Sequence, residues 1–154
     1  ALWVSEGMGM IANVFDVREK PDLGGYDFLV VGSSIQWGKI SPDLQQYLEA
    51  KKDRWKGKIK GLYAVCGNLG KPPGPKQRES YIEKQLAVVC EADPVPSRVF
   101  GGRMTSALLT DQDAKSLREA GVKFNLDFLK DYDNLSRGEC MAFGKSILEG
   151  VGKS

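Results

Sequence analysis

The segment that most constrains this chain is Phe28-Leu29-Val30-Val31, which runs into Gly32-Ser33-Ser34-Ile35-Gln36-Trp37-Gly38-Lys39. A short unbroken apolar run bounded by turn residues reads as a β-strand buried on both faces. The residues after it show no apolar periodicity and read as an exposed loop. Ser41-Pro42-Asp43 then opens a helix, with Ser41 as N-cap, Pro42 in the first turn and Asp43 at the positive end of the helix dipole. Leu44, Tyr47 and Leu48 continue it with helical spacing. Strand, loop and helix in this order predict a parallel α/β sheet, in which ligands bind at the carboxyl ends of the strands.

The same unit recurs downstream. Ile59 to Val65 reads as a strand, and Cys66-Gly67-Asn68-Leu69-Gly70 followed by Lys71-Pro72-Pro73-Gly74-Pro75 reads as a long loop. Gln77 to Cys90 has one apolar helical side, and Pro94 and Pro96 end it. Val99 to Met104 begins another strand. Asn13 to Val17 reads as an earlier one, and Lys51 to Lys58 as a charged, solvated connection. Residues 105–135 form an excursion before a last helix capped by Ser136. Within it Thr110 caps a helical turn, and the alternation Val122, Phe124, Leu126, Phe128 favours a short strand. Gly152-Lys153-Ser154 should fray. The 154 residues suit a single domain, 1–154.

Composition removes several chemistries. The chain has no histidine, which excludes Ser-His-Asp and Cys-His mechanisms and imidazole-bound zinc or haem. Redox or group-transfer chemistry would therefore come from a bound cofactor. A net charge of +2 is too small to argue for nucleic acid, and no apolar run approaches a membrane span. Cys66, Cys90 and Cys140 are widely spaced and read as reduced thiols of a cytoplasmic protein.

Tyr26-Asp27, the apolar run and Gly-Ser-Ser-Ile-Gln-Trp-Gly together resemble the second flavin loop of flavodoxin-like proteins. The variant is most similar to a branch that includes menaquinone-dependent protoporphyrinogen oxidases. The resemblance implies a three-layer α/β fold with parallel strand order 2-1-3-4-5, non-covalent FMN, and electron transfer to a redox partner protein or a small-molecule acceptor. It leaves the oligomeric state open. It assigns the flavin site to Ser33, Ser34, Ile35, Gln36, Trp37, Gly38 and Lys39, and to Cys66, Gly67, Asn68, Leu69 and Gly70 in the third loop. Five of them have a plainer reading: Trp37 as a loop aromatic on the core, Gly38 as a turn residue, Ser33 and Ser34 as strand-end caps, Cys66 as a packing residue. Aligned this way, Asn13 to Val17 falls on strand two, and strand one with its phosphate loop is expected upstream of Ala1. The glycines of Ser5 to Met10 are a poor substitute for that loop. The alternative function is an FMN-dependent dehydrogenase or oxidase of the protoporphyrinogen oxidase or quinone reductase kind, holding substrate under residues 105–135. A phosphoreceiver would need an aspartate where Ser33 and Ser34 stand.

Overall fold

The computed structural model describes residues 1–9 and 11–152, so Met10, Lys153 and Ser154 lie outside the description, and with them the expected fraying of the last two residues. The sheet is built from β1 (Leu29–Gln36), β2 (Lys39–Ile40), β3 (Ile59–Cys66) and β4 (Ser97–Gly101), in the order β2-β1-β3-β4. β1, β3 and β4 are parallel, and β2 folds back antiparallel on the last two residues of β1. Of the expected order, the adjacency of strands three, four and five is present.

Side-chain alternation on β3 divides the core between the two faces of the sheet. Leu62 and Ala64 point into a cluster with Val31, Leu44, Leu48, Trp55, Ile82 and Leu86. Tyr63 and Val65 point the other way, against Val4, Met8, Phe100, Phe143 and Ile147. The first face is covered by α2 (Pro42–Ala50), the short α3 (Lys52–Trp55) and the helical stretch α4 (Pro75–Arg78), a π-helix (Glu79–Leu86) and α5 (Ala87–Val89). The second is covered by α1 (Leu2–Gly7) and α7 (Arg137–Val151). Gly32 makes room for this packing, since a Cβ there would stand 2.0 Å from the Tyr63 ring.

α1 and α7 approach very closely. A Cβ on Gly7 would lie 2.1 Å from the Met141 carbonyl oxygen, and one on Gly144 would lie 2.2 Å from that of Val4. Gly7 is thus a helix-packing glycine. Ser5 is buried, and its hydroxyl donates to the Ala12 carbonyl at 2.8 Å. Neither residue is arranged as a phosphate cradle.

Three expectations need correction. Asn13 to Val17 is not a strand: residues 13–16 have no regular structure, and Val17–Glu19 is a 3-10 turn capped by Asp16. The reason is a lack of partners. Leu29 to Ser34 pair with no strand on the side of β1 away from β3, among the described residues. A cavity of about 410 Å³ lies there, lined by Val14, Phe15, Val30, Gly32, Leu44 and Tyr47 among others. Extended backbone without a neighbouring strand makes no ladder. Second, the charged connection 51–58 contains α3, because Trp55 is buried to 1% exposure and its indole N–H donates to the Leu48 carbonyl at 2.7 Å. Third, Val122 and Phe124 belong not to a strand but to α6 (Asp111–Phe124), which Asn125 ends in a left-handed cap. Their alternation is not a core pattern, since Val122 is 86% exposed.

Candidate functional site

Parallel strands end together, so the loops after β1, β3 and β4 meet at one edge of the sheet. Gly32 to Gln36 continues β1 rather than forming the expected loop. The chain then reverses in two residues, Trp37 at φ 52° and Gly38 at φ 78°. Two consecutive positive φ values define a type I′ turn, whose twist matches that of the strands it joins. Glycine at the second position suits this geometry, and no atom lies within 4 Å of a Cβ built on Gly38. The turn carries the Trp37 side chain outward, 67% exposed, at the rim of a cleft of about 910 Å³.

Ser34, Ile35, Gln36, Trp37 and Gly38 line one side of this cleft, and Cys66, Gly67, Asn68, Leu69 and Gly70 another. Ser33 and Lys39 do not line it. Ser33 is buried: its hydroxyl donates to the Ser34 carbonyl at 2.8 Å and accepts the Ser41 N–H at 2.9 Å, tying β1 to the start of α2. Lys39 is in β2. Asn68 lines the cleft, but its amide serves its own loop. Nδ2 donates to the Pro72 carbonyl at 2.9 Å, and Oδ1 accepts from Gln77 Nε2 at 3.1 Å. These bonds hold Asn68, Leu69 and Gly70 at consecutive positive φ values of 41°, 54° and 74°.

The remaining wall comes from outside the two expected flavin loops, in large part from residues 105–135, under which the alternative function would hold substrate. Gly102, Arg103 and Met104 follow β4, and Leu108, Leu109, Leu117, Phe128 and Tyr132 come from the excursion. β5 (Arg103–Met104) pairs with β6 (Tyr132–Asp133), which returns the excursion to the sheet edge. Tyr132 then lies over the third loop: a Cβ on Gly67 would stand 2.0 Å from its hydroxyl oxygen. Asn134 Nδ2 donates to the Gly70 carbonyl at 2.7 Å, and Gly102 N–H donates to the Cys66 carbonyl at 2.8 Å. Gly102 and Arg103 fall inside the strand expected over Val99 to Met104, and only the earlier end of β4 at Gly101 places them at the strand end where ligands bind. Tyr132, set between two aspartates in a polar segment, gave no local signal.

Burial raises the titration of the Cys66 thiol and of the Tyr81 and Tyr132 phenols above their ordinary values. All three therefore stay protonated at neutral pH and act as surfaces and donors rather than bases. Asp131 accepts the Ser106 N–H at 2.8 Å, and this backbone bond holds its carboxyl below the ordinary range. Among the described residues no group of three His, Cys, Asp or Glu side chains could hold a metal ion, and no helix is long and apolar enough to cross a membrane.

A family model described as Flavodoxin domain matches residues 3–143. The chain belongs to the flavodoxin domain family. No curated protein and no solved structure matches it. In this flavodoxin domain the aromatic and glycine residues of the cleft fit one end of a flavin. Trp37 and Tyr132 offer ring faces, and Gly38 offers backbone with no side chain in front of it. The first turn of α6 reaches the cleft through Asp113, and its carboxylates, Asp111 and Asp113, do not suit a phosphate.

Proposed function

We propose that the cleft holds the isoalloxazine ring of FMN and that the protein is an electron carrier. The observation that carries this reading is the meeting of the two strand-end segments, Ser34 to Gly38 and Cys66 to Gly70, across a cleft with Trp37 exposed at its rim. Bound FMN would supply reversible one- and two-electron chemistry. The chain's residues have simpler tasks. Trp37 stacks on a ring face, a use suited to its flat π-system. Gly38 lets a ring edge approach the backbone. Leu69, Met104 and Leu108 give the ring apolar contacts among the charged residues of the cleft, which moves its potential from the aqueous value.

One observation favours a second reading. Residues 104–132 give the cleft a wall that a carrier with one exposed ring edge does not need. That wall would let the cleft hold a planar acceptor such as a quinone beside the flavin, making the protein an FMN-dependent oxidoreductase. Titration with FMN, followed by visible absorbance, tests the first reading: a bound, red-shifted flavin spectrum is expected, and absence of binding refutes it. Quinol or protoporphyrinogen turnover by the FMN-loaded protein, lost when residues 107–120 are deleted, would replace carrier by enzyme.

A further inference from the structure

The turn that presents Trp37 is held by little of its own. β2 pairs with β1 through only two residue pairs, Ile35 with Ile40 and Gln36 with Lys39. A two-stranded hairpin of this size is not stable by itself. Its base is tied by the Ser33–Ser41 bond and by the buried Ile40 side chain, and a further hold comes from 45 residues away: the Ile40 N–H donates to Gln85 Oε1 at 3.0 Å. Gln85 Nε2 in turn donates to the Gly38 carbonyl at 3.0 Å and to the Ser80 carbonyl at 3.0 Å. One side-chain amide thus uses its acceptor and both its donors, two of the three bonds on the turn and one on its own helix. The helix there is an eight-residue π-helix, Glu79–Leu86. Gln85 follows Ser80 by five residues, and its side chain bonds the Ser80 carbonyl. Wide turns of this kind are rare and concentrate at functional sites. Gln85 itself does not line the cleft and stands behind the turn.

We infer that Gln85 is a positioning residue: its amide locks the Trp37–Gly38 turn in the orientation that presents the indole to the ligand. The inference rests on the flavin reading for its ligand but not for its geometry. The amide accepts from the Ile40 N–H and donates to the Gly38 carbonyl at once. Methionine fills the same space without either bond. Glutamate keeps an acceptor for Ile40 N–H, loses the donor to Gly38, and sets a negative charge against the Gly38 carbonyl.

The test compares wild type with Gln85→Met and Gln85→Glu, each with and without Trp37→Ala. In the ligand-free protein, ¹⁵N relaxation of the Gly38 amide and the Trp37 indole should show faster, wider motion in both variants. FMN should bind about 3- to 10-fold more weakly to Gln85→Met, the range for losing neutral hydrogen bonds, and more weakly still to Gln85→Glu. With Trp37→Ala already present, Gln85→Met should change affinity less than about 2-fold, because residues that act through one another are not additive. Equal losses in both backgrounds would make Gln85 a general stabiliser and overturn the inference. So would unchanged motion at Gly38 and Trp37. If wild type binds no FMN, the flavin reading falls alone, and the ligand-free relaxation data still decide the role of Gln85.

Discussion

Replacing Trp37 by alanine separates the fold from the site. Two-thirds of this residue is exposed, at 67%. A tryptophan buries roughly 150–250 Å² when covered, so about 150 Å² of Trp37 faces water. A ring stacked on one face would cover about half of that. At about 25 cal/mol per Å² this burial stabilises the complex by about 2 kcal/mol, and stacking adds about 0.5–1.5 kcal/mol. Trp37→Ala should therefore weaken FMN by about 2.5–3.5 kcal/mol, or roughly 50- to 400-fold in Kd. The fold should barely respond. An exposed substitution changes stability by about 0.5 kcal/mol or less, which is under about 2 °C in Tm for a domain of this size. Alanine keeps the cost of a positive φ that tryptophan already bears, so backbone strain cancels. Calorimetric or fluorescence titration with FMN, beside a thermal melt, checks both halves. An unchanged Kd would remove Trp37 from the site. A large fall in Tm would mean that the indole is part of the core.

Three further outcomes follow from the packing and the titration behaviour. Gly144→Ala puts a Cβ 2.2 Å from the Val4 carbonyl oxygen, so α1 and α7 must separate, at about 1–3 kcal/mol; a melt should fall by several degrees, while Gly138→Ala, with nothing within 4 Å, should hold or rise, and equal melts would refute the close contact. The Asp131 carboxyl is held below its ordinary value of 3.8 by the Ser106 N–H, so this bond contributes in full above that value and is lost as pH falls through the lower folded one. An NMR titration of the Ser106 amide should find its midpoint below 3.8, and a midpoint at or above it would show the bond does not form. Cys66, Cys90 and Cys140 are all buried, and burial pushes the Cys90 thiol up to about 12. Iodoacetamide at pH 8 should label native protein slowly, Cys90 last, and early labelling of Cys90 would contradict its burial.

Much of this arrangement is legible from local signals. The apolar run at Phe28 to Val31, the helix start at Ser41-Pro42-Asp43 and the strand at Ile59 to Val65 each obey a short-range rule, and each forms. The cleft follows from these elements, because parallel strands must end at one edge. What escaped is non-local. Two positive φ values at Trp37 and Gly38 extend β1 into a hairpin, yet only glycine at the second position hints at them. The extended reading of Asn13 to Val17 was locally reasonable, but a strand is completed by its neighbours, and the backbone there faces a cavity. Trp55 lies in a run of lysines, and only its 1% exposure shows that the run turns inward. Tyr132 and Asn134 reach the third loop through the two-residue pairing of β5 with β6, which no window of sequence displays.

The contact between α1 and α7 has a consequence for how the molecule opens locally. α1 (Leu2–Gly7) packs along α7 on the second face of the sheet. It persists because Gly7 lies against Met141, Val4 against Gly144, and Glu6 receives two hydrogen bonds of 3.0 Å from Arg137. These partners are more than 130 residues apart, as Arg137 and Glu6 are by 131. Their meeting closes a loop that contains the four strands of the sheet, at an entropic cost that grows only slowly with loop length. Opening of this contact uncovers Met8 and Phe143 while β3 stays paired on both sides, so amide exchange in α1 should be faster than in β3.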